Sequence, residues 1–138
     1  LAVNVAKTQA LAVGIMKPDT MTLMGEPIRW APSVKYLGVT IDRSLSMTPH
    51  VQQAVAQART ARHLLRPVLD SSLPLRAKLG IYEAYIRTWL TYAAPAWYAL
   101  VSETNKKHLR AQQSLTLRSN IERRRRRERR RLRAVPEH

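Results

Sequence analysis

The sequence predicts an α+β chain: a small, mostly antiparallel sheet, then a three-helix bundle, then an arginine-rich tail that is disordered or frayed. Three observations carry this. Apolar residues recur with a period near two up to about residue 47, and with a period near 3.6 from Thr48 onward. From Arg123 to Arg133, nine of eleven residues are arginine, so the apolar pattern stops. The expected divisions are therefore residues 1–47, 48–118 and 119–138.

The strands come first. Residues 8–15 are short and apolar, and residues 20–24 alternate after a turn at Pro18-Asp19. Gly25-Glu26-Pro27 sets a turn before Ile28-Arg29-Trp30. Residues 34–42 supply a further strand, with Val34, Tyr36, Val39 and Ile41 as β-favouring types. Gly38 in its middle would weaken an unbroken ladder, so a bulge or a close backbone approach is expected there.

The helices follow. Thr48 is the expected N-cap with Pro49 at the first helical position, and Val51, Ala54, Val55, Ala58, Leu65 and Val68 form one stripe ending before Ser71-Ser72. A second helix starts near Pro74, aligns Leu75, Leu79, Tyr82, Ile86, Trp89 and Leu90, and stops or kinks at Pro95. A third follows Ser102 or Thr104 and carries Leu109, Gln113 and Leu117. Tyr82, Tyr85, Trp89, Tyr92, Trp97 and Tyr98 crowd this region and are expected in the core, with their polar tips at the surface. Like charges at i,i+4 repel, so the arginine run is expected to be unstructured when free.

The 138 residues hold 24 Lys+Arg against 9 Asp+Glu, a formal net charge of +15, and no cysteine. Disulfide scaffolds and cysteine zinc sites are excluded. The excess is not confined to the tail, because residues 1–117 hold fourteen cations and six acids. Arg59, Arg62 and Arg66 on the first helix, and Arg123, Arg124 and Arg125 in the tail, are candidate contacts to a polyanion, with a plain solvated face as the alternative for any one of them. Six phosphates neutralised on duplex would give a slope of roughly −5 in log K against log salt. Arg87 interrupts the most apolar stretch, residues 79–100, so no membrane partner is expected.

Catalytic patterns are sparse. Asp19, Asp42 and Asp70 are far apart and beside turn residues, which points to capping or exposure. His50, His63, His108 and His138 show no ligand spacing, and no phosphate-binding loop or nucleophile elbow occurs. No complete active site is expected. Leu1 reads as an interior point of a longer protein, since no methionine or signal segment precedes it.

Four motifs in order, Asn4-Val5-Ala6-Lys7-Thr8, Val34-Lys35-Tyr36-Leu37-Gly38-Val39-Thr40-Ile41-Asp42, His50, and Leu90-Thr91-Tyr92-Ala93-Ala94-Pro95-Ala96-Trp97, resemble the reverse transcriptase of non-LTR, LINE-type retrotransposons of the jockey-like group. The resemblance covers about residues 1–118. It implies that residues 1–47 are the end of a palm and residues 48–118 a thumb-like region. Lys7 would then be the motif D lysine near the incoming triphosphate, where a cation assists the leaving pyrophosphate. Lys35, Tyr36 and Gly38 would belong to a hairpin gripping the primer end, the glycine admitting a sugar-phosphate chain.

The family's metal-binding aspartates, an aromatic-Ala-Asp-Asp element and an earlier Asp, do not occur in this sequence. The resemblance therefore implies no cofactor in this chain, Mg for the parent enzyme, and no activity of this chain alone. The implied partners are an RNA/DNA hybrid or duplex and the missing N-terminal palm and fingers; the implied location is nuclear. After residue 118 the family pattern stops, and a degenerate copy, a frame change or a misplaced gene boundary is the simpler account of the arginine run. The alternatives are a non-catalytic basic nucleic-acid-binding protein, and a structural helical domain carrying the arginine run as a nuclear address.

Overall fold

The protein is described by a computed structural model over residues 2–14 and 19–134. The turn expected at Pro18-Asp19 falls partly outside these residues, as do Ile15 and His138. The architecture is α+β. Strands β1 (Met21–Leu23) and β2 (Glu26–Ile28) pair antiparallel, as do β3 (Ser33–Tyr36) and β4 (Val39–Asp42). The helices are α1 (Thr48–Leu64), α2 (Arg66–Leu69), α3 (Leu75–Tyr82), α4 (Thr88–Thr91), α5 (Ala94–Trp97) and α6 (Glu103–Arg133).

The strand layer corrects the expected single sheet: it is two separate two-stranded hairpins. Each closes on a two-residue turn with both residues at positive φ, Met24-Gly25 (51° and 79°) and Leu37-Gly38 (48° and 83°). Positive φ at both central positions matches the right-handed twist of the flanking strands, so short X-Gly turns favour tight hairpins. Residues 34–42 are therefore not one strand with a bulge, because Gly38 turns the chain. Glu26 and Pro27, expected in a turn, lie in β2. Residues 8–14 form no strand either. A parallel bridge from Ala10 to Trp30 and hydrogen bonds from Ala31 N to Ala10 O and from Gly14 N to Arg43 O tie that segment down.

Asp42 organises the passage from β4 into α1. Its carboxylate accepts from Ser44 Oγ (2.7 Å), Ser46 Oγ (2.7 Å), Ser46 N (3.2 Å) and Met47 N (2.9 Å). Met47 stands at the N-cap with φ 57°, so Thr48 is the first helical residue rather than the cap and Pro49 the second. Val51, Ala54, Val55 and Ala58 are buried as the stripe predicts, but Leu69 takes the place expected for the exposed Val68, since α1 stops at Leu64 and α2 restarts the phase around Pro67.

The second helical rod is continuous from α3 through a π-helical stretch, Glu83–Arg87, into α4. The wider π turn keeps Tyr82, Ile86 and Leu90, spaced by four, on one buried face. Trp89 and Leu79 are rotated outward, which corrects the expected stripe. The rod ends at Thr91, ahead of Pro95. Ser102 caps α6, its Oγ accepting from Asn105 N at 3.3 Å. Met47, Val51, Val55, Ala58, Leu69, Tyr82, Ile86, Leu90, Trp97, Val101 and Leu109 make one core.

The arginine run is helical, which corrects the expected disorder. α6 passes residue 118 without a break and continues to Arg133. Arginine is a good helix former, and the repulsion is offset at particular points. Arg124 donates to Glu128 at 2.9 Å, Arg123 pairs with Asp70, and Arg127 donates to the Ser71 carbonyl.

Candidate nucleic-acid interface

Three of the four motifs meet in space. The Thr40 N–H donates to His50 Nδ1 at 3.1 Å, and the His50 ring lies edge-on to Trp97, 4.7 Å between centroids. Trp97 Nε1 donates to Tyr92 O at 2.8 Å, and the Tyr92 hydroxyl donates to Leu37 O at 2.9 Å. The path runs from β4 through α1 and α5 and returns to the hairpin turn. It clasps the β3–β4 hairpin to the helical lobe. Burial pushes the His50 pKa below its ordinary value, so the ring is neutral in its role as acceptor. A Cβ at Gly38 would lie 2.9 Å from Tyr92 Cε1, so this glycine is required by the protein's own packing.

The hairpin leaves its tip in solvent. Tyr36 is 64% exposed and Leu37 75%, and Lys35 and Gly38 are exposed as well. Tyr85, Trp89, Tyr92 and Tyr98 are also exposed, contrary to the expected core placement, whereas Tyr82 and Trp97 are buried. On the rod itself, Tyr85 within the π stretch and Trp89 just after it point away from the buried Tyr82, Ile86 and Leu90. Lys7 ends a 3-10 turn, Val5–Lys7, and is exposed; its side chain makes no ion pair among the described residues.

The helices bring together what lay apart in sequence. Arg59 and Arg62 of α1, Arg66 of α2 and Arg123 of α6 line one groove of about 380 Å³, with His63, Leu69, Leu115 and Ser119. No acidic side chain is among its walls. Asp70 sits beside it, paired with Arg123 and 3.7 Å from Arg66. Burial, then the neighbouring Arg66 and Arg127, lower the Arg123 pKa, as expected where cations are crowded.

Arg123, Arg124 and Arg125 do not form one patch. Successive helical positions diverge by about 100°, so Arg123 faces α1, Arg124 faces residues 72–78, and Arg125 lies on the outer side with Arg126 and Arg129. Sequence reasoning also missed Asp70 as the acceptor that binds the run to the fold. Its i,i+4 spacing from Arg66 is the one signal that was available.

No group of three His, Asp or Glu side chains able to hold a metal ion occurs among the described residues. The Asp42 carboxylate is filled by its four donors. Burial alone would raise its pKa, but the Ser44, Ser46 and Met47 hydrogen bonds outweigh that and hold it at about 2. Asp70 is engaged by arginines. These residues do not fit a Mg pair. Among the described residues no helix is long and apolar enough to cross a membrane.

Over 100 residues, covering 71% of this chain, the sequence is 29% identical to the RNA-directed DNA polymerase from mobile element jockey of Drosophila melanogaster. The chain is a relative of a non-LTR retrotransposon reverse transcriptase. It spans 11% of that polymerase's length. No family model matches this reverse-transcriptase relative, and no solved structure matches it.

Proposed function

We propose that this chain is the part of a reverse transcriptase that holds an RNA/DNA hybrid or duplex by its backbone, with the thumb-like helices supplying the contacts. One observation carries the reading: Arg59, Arg62, Arg66 and Arg123 converge on one groove, and Asp70 at its margin engages two of them, Arg66 and Arg123. Guanidinium groups in such an array meet phosphates with paired N–H donors and release counterions, without reading sequence. The clasped hairpin would present Lys35 and Tyr36 to the primer end, with Gly38 at its turn, and Arg124 and Arg125 would add cationic surface beyond the groove. Lys7 would act toward the incoming nucleotide only with the rest of the palm present. In this reading Mg, the fingers and the remaining palm belong to the parent polypeptide, whose work is nuclear.

A non-catalytic basic nucleic-acid-binding protein is the second reading. The commitment of Asp42 and Asp70 to structural partners favours it for this chain in isolation.

The test is fluorescence anisotropy with a labelled hybrid over a salt series. Wild type should bind with a steep negative salt slope, and the triple change Arg59→Ala, Arg62→Ala, Arg66→Ala should make that slope shallower by about 3. A variant that matches wild type in both affinity and slope would remove the groove from the account.

A further inference from the structure

We infer that the cleft between residues 72–78 and the distal part of α6 is a second site, built to seat a phosphate oxyanion. This does not depend on the groove reading, because no residue lines both the cleft and that groove. It is open, about 440 Å³, and Arg76, Lys78, Arg124, Arg127 and Arg131 bring five cations to it. Glu128 is the one acid in the lining, and Arg124 engages it at 2.9 Å. Most of the charge is left uncompensated.

Two side chains mark the cleft as more than a basic surface. Lys78 is only 6% exposed and has no acidic partner among the described residues. Burial, then the nearby Arg127, push its pKa below the ordinary lysine range. Asn120 is only 2% exposed, and neither its Nδ2 nor its Oδ1 has a hydrogen-bond partner. Buried amides are almost always satisfied, and one left open in a cationic wall has a donor to offer an anion.

The backbone adds donors of the same kind. α3 begins in this cleft after Pro74, and no side chain caps it. Its first-turn N–H groups have no acceptors within the helix, and the rod continues through the π stretch to Thr91 behind them. A tetrahedral oxyanion would meet the ammonium, the amide and these N–H groups together. Free inorganic phosphate or pyrophosphate and the backbone phosphate of a nucleic acid share that chemistry.

The experiment uses the full chain and two ligands: pyrophosphate by titration calorimetry at low ionic strength, and the labelled hybrid by anisotropy. Asn120→Asp places a carboxylate in the wall of the cleft that Lys78 also lines, which supplies an acid from within and should keep the thermal midpoint at or above wild type. Pyrophosphate binding that weakens by at least about tenfold in N120D assigns the site to the free anion. A hybrid affinity that falls in N120D without any pyrophosphate response assigns it to a backbone phosphate. Lys78→Met gives the same reading should N120D not fold. Variants equal to wild type toward both ligands overturn the inference. The arginine triple variant should retain pyrophosphate binding within about twofold, so failure of the groove and failure of this cleft are separable.

Discussion

The two halves of the helical lobe are held by different forces. Near the hairpin, α1, α4, α5 and the start of α6 enclose Val51, Ile86, Leu90, Trp97 and Leu109, and His50 Nδ1, Trp97 Nε1 and the Tyr92 hydroxyl each have a partner, while His50 Nε2 is buried without one. Further along α6 the buried seam turns polar, running through Gln112, Thr116 and Asn120, and beyond it the half-buried Arg123 and the exposed Arg127 make the contacts. The first region is a packed clasp that fixes a hairpin in place. The second is a concentration of positive charge attached to it by a few acceptors. Apolar burial is insensitive to ionic strength, whereas the distal contacts are screened. Rigidity and charge are thus separated along one helix.

Breaking the clasp should have the largest effect. Trp97→Ala removes a ring that is 1% exposed together with its bond to Tyr92 O; a loss of about 3–5 kcal/mol is expected in urea unfolding. Acid should act on the same region next. The Asp42 pKa is lowered when folded, so its contribution of ~2 kcal/mol is present above the unfolded value of 3.8 and is lost as pH falls toward about 2. His50, also lowered, gives stability that is full above its unfolded value and declines as pH drops through the folded one. Thermal midpoints measured across acid pH should show the Asp42 step in wild type and not in Asp42→Asn.

The hairpin turn comes third. Gly38→Ala meets both the positive φ and the Tyr92 ring, and should cost roughly 2 kcal/mol. Tyr92→Ala would relieve the contact, so the double variant should be less destabilised than the sum of the two. Such a coupling also means that a loss of function in a Gly38 variant reports misplaced packing before it reports lost primer contact. The smallest effect belongs to the distal region. Asp70→Asn should change global stability by less than ~1 kcal/mol, because the pair is partly exposed. Hydrogen exchange should nevertheless quicken over residues 120–133 and not over residues 51–58.

Much of this architecture could be read from residue types. The change from alternation to helical spacing at Thr48 placed the boundary between strands and helices correctly, and the Val51 to Ala58 stripe emerged from short-range rules, while of Ser102 and Thr104 the structure selects Ser102 as the cap of α6. The failures share a cause. Leu37-Gly38 reads as strand interior because a leucine at positive φ is disfavoured locally, and only the Tyr92 contact across 55 residues pays for it. The π stretch has no periodic signature of its own, so Tyr85 and Trp89 were assigned to the core. The arginine run contradicts helix by charge alone, yet Asp70 and Ser71 supply the acceptors from another part of the chain. For the candidate site, sequence reasoning named Arg59, Arg62, Arg66 and Arg123 among other arginines, but tertiary structure decided which of them share a groove.

The account is tested most directly by hydrogen exchange of the full chain with and without an RNA/DNA hybrid. It predicts slowed exchange over residues 59–78 and 119–133, where the cations lie, with residues 51–58 and 86–90 of the clasp unchanged. Exchange over the cationic segments that is identical with and without hybrid would contradict it.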